Sequence, residues 1–177
     1  MRPVMAVADV LALQLLLLRR RVEWCIVGGW GVDALLGEQT RPHKDLDVLV
    51  RVDQLRTTLD VLQAQDLRHS YSWEESLPLG GPGDLTGLDS AFVMTDVAGR
   101  EVDIHVYDDD GSHIRPLWDT DRMLTPPDLA AQGVIGGEPV ACLTPQRQLE
   151  FHCGYELPET QRLDVQRLRR LIGARDT

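Results

Sequence analysis

Residues 41–50 read RPHKDLDVLV, and the fold turns on how this stretch is read. Asp45 and Asp47 alternate with Leu46, Val48 and Val50. A strand over 45–52 therefore puts both carboxylates on one face and the aliphatic side chains on the other. Two carboxylates this close repel one another, and burial raises the cost. A divalent cation offsets it, and Mg²⁺ in particular combines carboxylates with phosphate oxygens. A two-metal site, with ions about 4 Å apart, calls for a third carboxylate. EVDIHVY (101–107) offers Asp103, set among Val102, Ile104 and Val106 on a second apolar strand.

Upstream, EWCIV (23–27) reads as a short strand broken by Gly28-Gly29. WGVDALLG (30–37) then reads as a helix, with Trp30, Ala34 and Leu35 at helical spacing and Gly37 as its stop. Glycine N–H groups at a helix start form an anion cradle, reinforced by the helix dipole. The order is not G-x-G-x-x-G and no P-loop lysine follows, which argues against both of those nucleotide sites. Each feature alone has a bland reading: D-x-D as a solvated strand edge, Asp103 as an ordinary outward residue, the glycines as a turn. Their combination, with D-x-D starting 16 residues after Gly29, points to a triphosphate held between backbone amides and metal ions.

The rest of the chain frames this constellation. At 177 residues it suits one domain with a substantial core, and 43% apolar and 26% charged residues are ordinary for a globular protein. Eighteen basic against 28 acidic residues give a net charge of −10, which argues against nonspecific nucleic-acid binding and suits a small cationic substrate. Cys25, Cys142 and Cys153 are too few and scattered for a disulfide framework; they read as structural thiols in a cytoplasmic protein. VLALQLLLL (10–18) is about half of what a bilayer requires and is followed, not preceded, by Arg19–Arg21, so it reads as a buried first helix spanning 3–21.

Further on, an amphipathic helix is expected over 53–65 with Asp53 as N-cap, a strand at LRHSYSW, and a Gly/Pro-rich loop over 76–87. A hairpin should turn near Ala98-Gly99 and a second near Gly136-Gly137. Thr144-Pro145 starts a helical pair, roughly 145–153 and 159–172. The expected fold is α/β (α+β): a mixed β-sheet flanked by helices, organised as a core over 1–143 and a C-terminal helical segment over 144–177 packed on it.

VGGWGVDALLGEQTRPHKDLDVLV (27–50) resembles the active-site segment of the small antibiotic nucleotidyltransferases of the DNA polymerase beta-like superfamily. The likeness is nearest to the short-type lincosamide nucleotidyltransferases and next to the aminoglycoside 2″-adenylyltransferases. VDIHVYDDDGS (102–112) and LTPQRQLEFHCGYELPETQRLDVQRL (143–168) extend it, including His152, Gly154, Tyr155 and Glu159-Thr160, while the middle of the chain matches poorly.

The resemblance implies a nucleotidyltransferase fold and transfer of a nucleoside monophosphate from ATP or another nucleoside triphosphate to a hydroxyl of a small, cationic antibiotic. Gly28 and Gly29 would cradle the β- and γ-phosphates, Asp45, Asp47 and Asp103 would hold two Mg²⁺ ions, and Asp103 is a candidate general base. Where many superfamily members carry serine, this chain has Gly29. Arg41 and Lys44 are candidate phosphate contacts or local counter-charges. His105 and Tyr155 are candidate acceptor contacts. Trp73 and Trp118 are expected in the core in preference to a sugar-binding wall. Implied partners are the antibiotic and the nucleotide, with neither nucleic acid nor membrane, in a homodimer. The alternatives are an aminoglycoside acceptor, a protein or RNA acceptor, an idle nucleotide-binding module and a metal-dependent hydrolase.

Overall fold

The strand that carries D-x-D lies at the middle of a mixed sheet. The computed structural model describes residues 4–80, 85–152 and 157–175. β2 (Asp45–Arg51) runs parallel to β5 (Glu101–Asp109), in a register that sets Asp47 opposite Asp103 and Asp45 opposite Glu101. On the far side of β5 the antiparallel strands β4 (Ala91–Thr95) and β3 (Arg68–Ser72) complete one wing. On the far side of β2, β1 (Cys25–Ile26) is antiparallel to it, and β8 (Glu138–Cys142) is parallel to β1. β7 (Ala131–Ile135) closes the edge by the expected hairpin with β8, Gly136 and Gly137 both taking positive φ at its turn. β6 (Ile114–Pro116) pairs with the end of β5, and its Ile114 also bridges Leu124.

The alternation read from β2 and β5 sorts the side chains as expected. Leu46, Val48, Val50, Val102, Ile104 and Val106 are all 0% exposed. They form the main core with α1 (Val7–Arg19) and α3 (Leu55–Ala64), whose buried stripes are Val10, Leu13, Leu17 and Leu55, Leu59, Leu62. Each such side chain contributes roughly 1.5–3 kcal/mol on burial. Beyond the acids, the other sheet face carries a smaller core of Cys25, Val27, Leu49, Tyr107, Ile114, Leu124 and Leu143. Cys25 and Cys142 are buried and unbridged, on opposite faces of neighbouring strands, while Cys153 lies outside the described residues. Among the described residues no helix is long and apolar enough to cross a membrane.

α2 (Gly28–Leu36) packs on β2, β7 and β8, and against it rest the two C-terminal helices, α4 (Pro145–Glu150) and α5 (Glu159–Arg175). Thr144 and Pro145 start α4 as read, though the helix ends at Glu150, short of 153, and α5 outruns 172. One cap expectation fails. Asp53 sits inside a 3₁₀ turn, Val52–Gln54, and Gln54 is the residue preceding α3. Asp53 instead accepts a 2.6 Å bond from Arg51, a nearer partner than the helix amides.

Candidate active site

The glycine pair forms the first turn of α2 itself, directly after the N-cap Val27. Gly28 has φ +60°, where an L side chain is strained, and a Cβ there would lie 1.9 Å from Asp47 Oδ2. A Cβ at Gly29 would lie 2.5 Å from His43 Nδ1 and 2.6 Å from Arg41 Nη2. Side chains pack directly on both glycines, and the head of α2 meets β2 without an intervening side chain. A side chain at position 29 would run into His43, which is buried and held by several contacts. Its Nε2 is bonded to the buried Asp33, its ring stacks on Trp30 at 4.6 Å, and Thr40 donates a 2.6 Å bond to the same Asp33.

An open cleft of about 600 Å³ lies over this junction. Gly28, Gly29, Arg41, Asp45, Asp47 and Asp103 all line it, so the structure brings together the glycines, the three acids and one of the two proposed basic residues. Lys44 is not among the lining residues. Its ammonium, half exposed, is paired at 2.6 Å with Glu101 on the sheet rim, where the two residues act as each other's counter-charge. His105 lines the cleft, edge-on to Trp118 at 4.8 Å. Tyr155 lies outside the described residues.

Electrostatics mark the acids as costly. Loss of solvent, with Asp45 and Asp103 close by, holds the Asp47 carboxyl well above the usual range, and Arg41 opposes this. Asp103 is pushed up to about 7, chiefly by burial; the Trp73 bond pulls it down, and Asp45, Glu101 and Glu75 add to the rise. The Trp73 indole N–H reaches both Asp103 oxygens, at 2.9 and 3.1 Å. Burial lowers His105 to about 4, so near neutrality its ring is uncharged and its 3.5 Å contact with Asp103 is no ion pair.

Among the described residues no three His, Cys, Asp or Glu stand close enough to form a ready metal cage. The donor set nonetheless fits Mg²⁺. It consists of carboxylate oxygens in excess of nearby cations, beside an amide-lined helix start, and Mg²⁺ draws its remaining ligands from phosphates and water. Asp45, Asp47 and Asp103 are the residues that would hold it.

Several site residues escaped the sequence reading. Trp73, expected in the core, is 37% exposed and lines the cleft, while Trp118 both packs against the smaller core as expected and lines the cleft. Gln148 of α4 is fully buried and donates a 2.7 Å bond to the Gly28 carbonyl. Asp164 of α5, 1% exposed, holds Arg41 at 2.8 Å. A signal for Asp164 existed: an acid sharing a helix face with Val165 and Leu168 demands a buried partner.

The chain as a whole is similar to known antibiotic-modifying proteins. The family model of the aminoglycoside-2″-adenylyltransferases matches residues 9–168. A lincosamide resistance protein of Staphylococcus haemolyticus is 24% identical over 151 residues, 84% of this chain and 85% of that protein. Among solved structures, the lincosamide antibiotic adenylyltransferase LnuA with lincomycin bound is similar at a TM-score of 0.72 and 22% identity, over 92% of this chain and 95% of that one. ANT(2″)-Ia in complex with adenylyl-2″-tobramycin gives a TM-score of 0.70 at 17% identity, over 96% and 91% of the two chains. At such identities the structures attest the fold, and the family model, matching nearly the whole chain, attests the kinship. The chain belongs to the aminoglycoside-2″-adenylyltransferase family and is an enzyme of the antibiotic nucleotidyltransferase kind.

Proposed function

We propose that the protein transfers a nucleoside monophosphate from ATP to a hydroxyl of a small cationic antibiotic, with a lincosamide as acceptor. The observation that carries this is the convergence of Asp45, Asp47 and Asp103 beneath the glycine-led start of α2, in one cleft. Free N–H groups at the head of α2 suit the β- and γ-phosphates. The acceptor hydroxyl attacks the α-phosphorus as the bond to pyrophosphate breaks, a reaction governed by positioning and charge stabilisation. Bound Mg²⁺, as two ions, would supply Lewis-acid activation of the hydroxyl and neutralise the leaving pyrophosphate. Asp103, with its carboxyl near 7, suits acceptance of the hydroxyl proton.

Glu75, in the lining of the cleft, favours a cation, while Asp119 is taken by Arg122 at 2.9 Å, and the lincosamide resistance protein aligns over most of both chains. The family match favours a second reading, in which the acceptor is an aminoglycoside. One experiment tests both: the protein is incubated with Mg²⁺, ATP and either lincomycin or tobramycin, and the drug is weighed by mass spectrometry. A gain of one adenylyl group on lincomycin is the expected result. An adduct on tobramycin alone selects the second reading, and no adduct on either overturns the antibiotic assignment.

Assembly belongs to the same reading. Leu163, on α5, is 44% exposed, which suits a homodimer that covers the C-terminal helices. Light scattering on the purified protein should give twice the chain mass; the mass of one chain sinks that assignment.

A further inference from the structure

Arg41 lies in the wall of the cleft, with Nη2 only 2.6 Å from where a Gly29 Cβ would stand. Its guanidinium thus packs on the backbone at the head of α2, within electrostatic reach of Asp47. It does not hold that position by itself. Asp164, reaching in from α5, takes Arg41 Nη2 at 2.8 Å and Nε at 3.3 Å on one carboxylate oxygen. The other oxygen accepts a 3.0 Å bond from Arg167, one turn along the same helix. Two guanidinium groups share one buried carboxylate, so the cluster keeps a net positive charge. Asp164 orients Arg41 while Arg167 balances Asp164, and the charge Arg41 presents to the cleft is not cancelled.

Burying a carboxylate to 1% exposure is costly unless it is fully paired. A helix anchored for stability alone would be served by another leucine, such as Leu168 one turn away. The same C-terminal segment also grips the other half of the cradle, through the bond from Gln148 to the Gly28 carbonyl. The two contacts bracket the glycine turn from one side.

We infer that Asp164 is a positioning residue for nucleotide binding: it aims Arg41 at the phosphates of the nucleoside triphosphate, which makes the C-terminal helix part of the nucleotide site. This rests on the nucleotidyl-transfer reading above. A guanidinium held in a fixed fork meets phosphate oxygens with two parallel donors, and a free one does so at an entropic cost. Loss of the aim should therefore appear in nucleotide affinity, with the acceptor KM unmoved.

The test is ATP binding by calorimetry with Mg²⁺, supported by KM values for ATP and for the acceptor. Asp164→Asn should weaken ATP binding about tenfold, the scale of losing the group that orients a ligand-binding residue. Arg41→Gln should weaken it at least as much, and the double variant no further than Arg41→Gln alone. Arg100→Gln breaks ion pairs to Asp9 and Asp96 away from the cleft, and should leave ATP affinity unchanged at whatever cost in stability. If Asp164→Asn does not fold, Arg41→Lys takes its place: it keeps the charge, loses the fork, and should still bind ATP about tenfold more weakly. Wild-type affinity in Asp164→Asn, wild-type affinity in Arg41→Lys, or additive losses in the double variant would each overturn the inference and leave the transfer reading intact. A wild-type protein that binds no ATP would remove both.

Discussion

The two faces of β2 and β5 are built to opposite rules. One presents Leu46, Val48, Val50, Val102, Ile104 and Val106, every one wholly buried against α1 and α3. The other, one residue out of phase on the same strands, presents Asp45, Asp47, Asp103 and His105 to a cleft. The first face stabilises the fold, since apolar area is removed from water with nothing left unpaired. The second face works against it, because like charges are held close and partly out of water. Within the chain this cost is offset only by Arg41 beside Asp47 and by the Trp73 N–H on Asp103, and under the proposed function bound cations would offset the rest.

The contrast can be broken or sharpened by substitution. The largest effect is expected on the cleft face: Asp103→Asn should cut adenylyl transfer on the order of 10³-fold with an unchanged circular dichroism spectrum. Transfer at wild-type rate by that variant would end the assignment of the site. On the opposite face, Ile104→Ala should cost about 2–5 kcal/mol in denaturant unfolding. The fraction still folded should turn over normally; a loss of kcat there would mean the faces are not separable. Gly28→Ala tests the junction, since its Cβ would fall on Asp47. We expect transfer to drop by about 100-fold, with the midpoint of unfolding lowered by strain at φ +60°. Retained activity would show that Asp47 can move aside without consequence.

The smallest effect on stability has the most telling sign. Asp47→Asn removes one of the crowded charges, so in EDTA it should stabilise the protein by roughly 1 kcal/mol at neutral pH while abolishing transfer. Destabilisation would mean that the acids are already compensated within the chain, and the case for external cations would weaken.

Much of this is legible in the sequence alone. The alternation in 45–52 and 101–107, both hairpin turns and the Thr144-Pro145 helix start are local signals and formed where they were read, whereas Gly28 and Gly29, read as a turn ahead of the helix, are the first turn of α2 itself. Asp53 shows the limit of such signals: a cap-competent acid found a closer partner in Arg51. RPHKDLDVLV itself divides in the same way. Period alone put Asp45 and Asp47 on one strand face, whereas it gave no place to Arg41, His43 and Lys44. In the fold these three part company: Arg41 to the cleft on Asp164, His43 into the core on Asp33, Lys44 to the rim on Glu101.

By itself, then, the sequence determined which residues could share a strand face, where glycine was needed, and which three acids were candidates for one site. Only the tertiary structure decided that β2 and β5 lie side by side in a register pairing Asp47 with Asp103, that Trp73 caps the third carboxylate, and that a helix 123 residues away holds Arg41. The physical reason is range. Backbone periodicity and steric freedom are properties of a few consecutive residues. The partner of a buried charge is chosen by which distant segments the closed core brings within about 3 Å, and no local pattern records that choice.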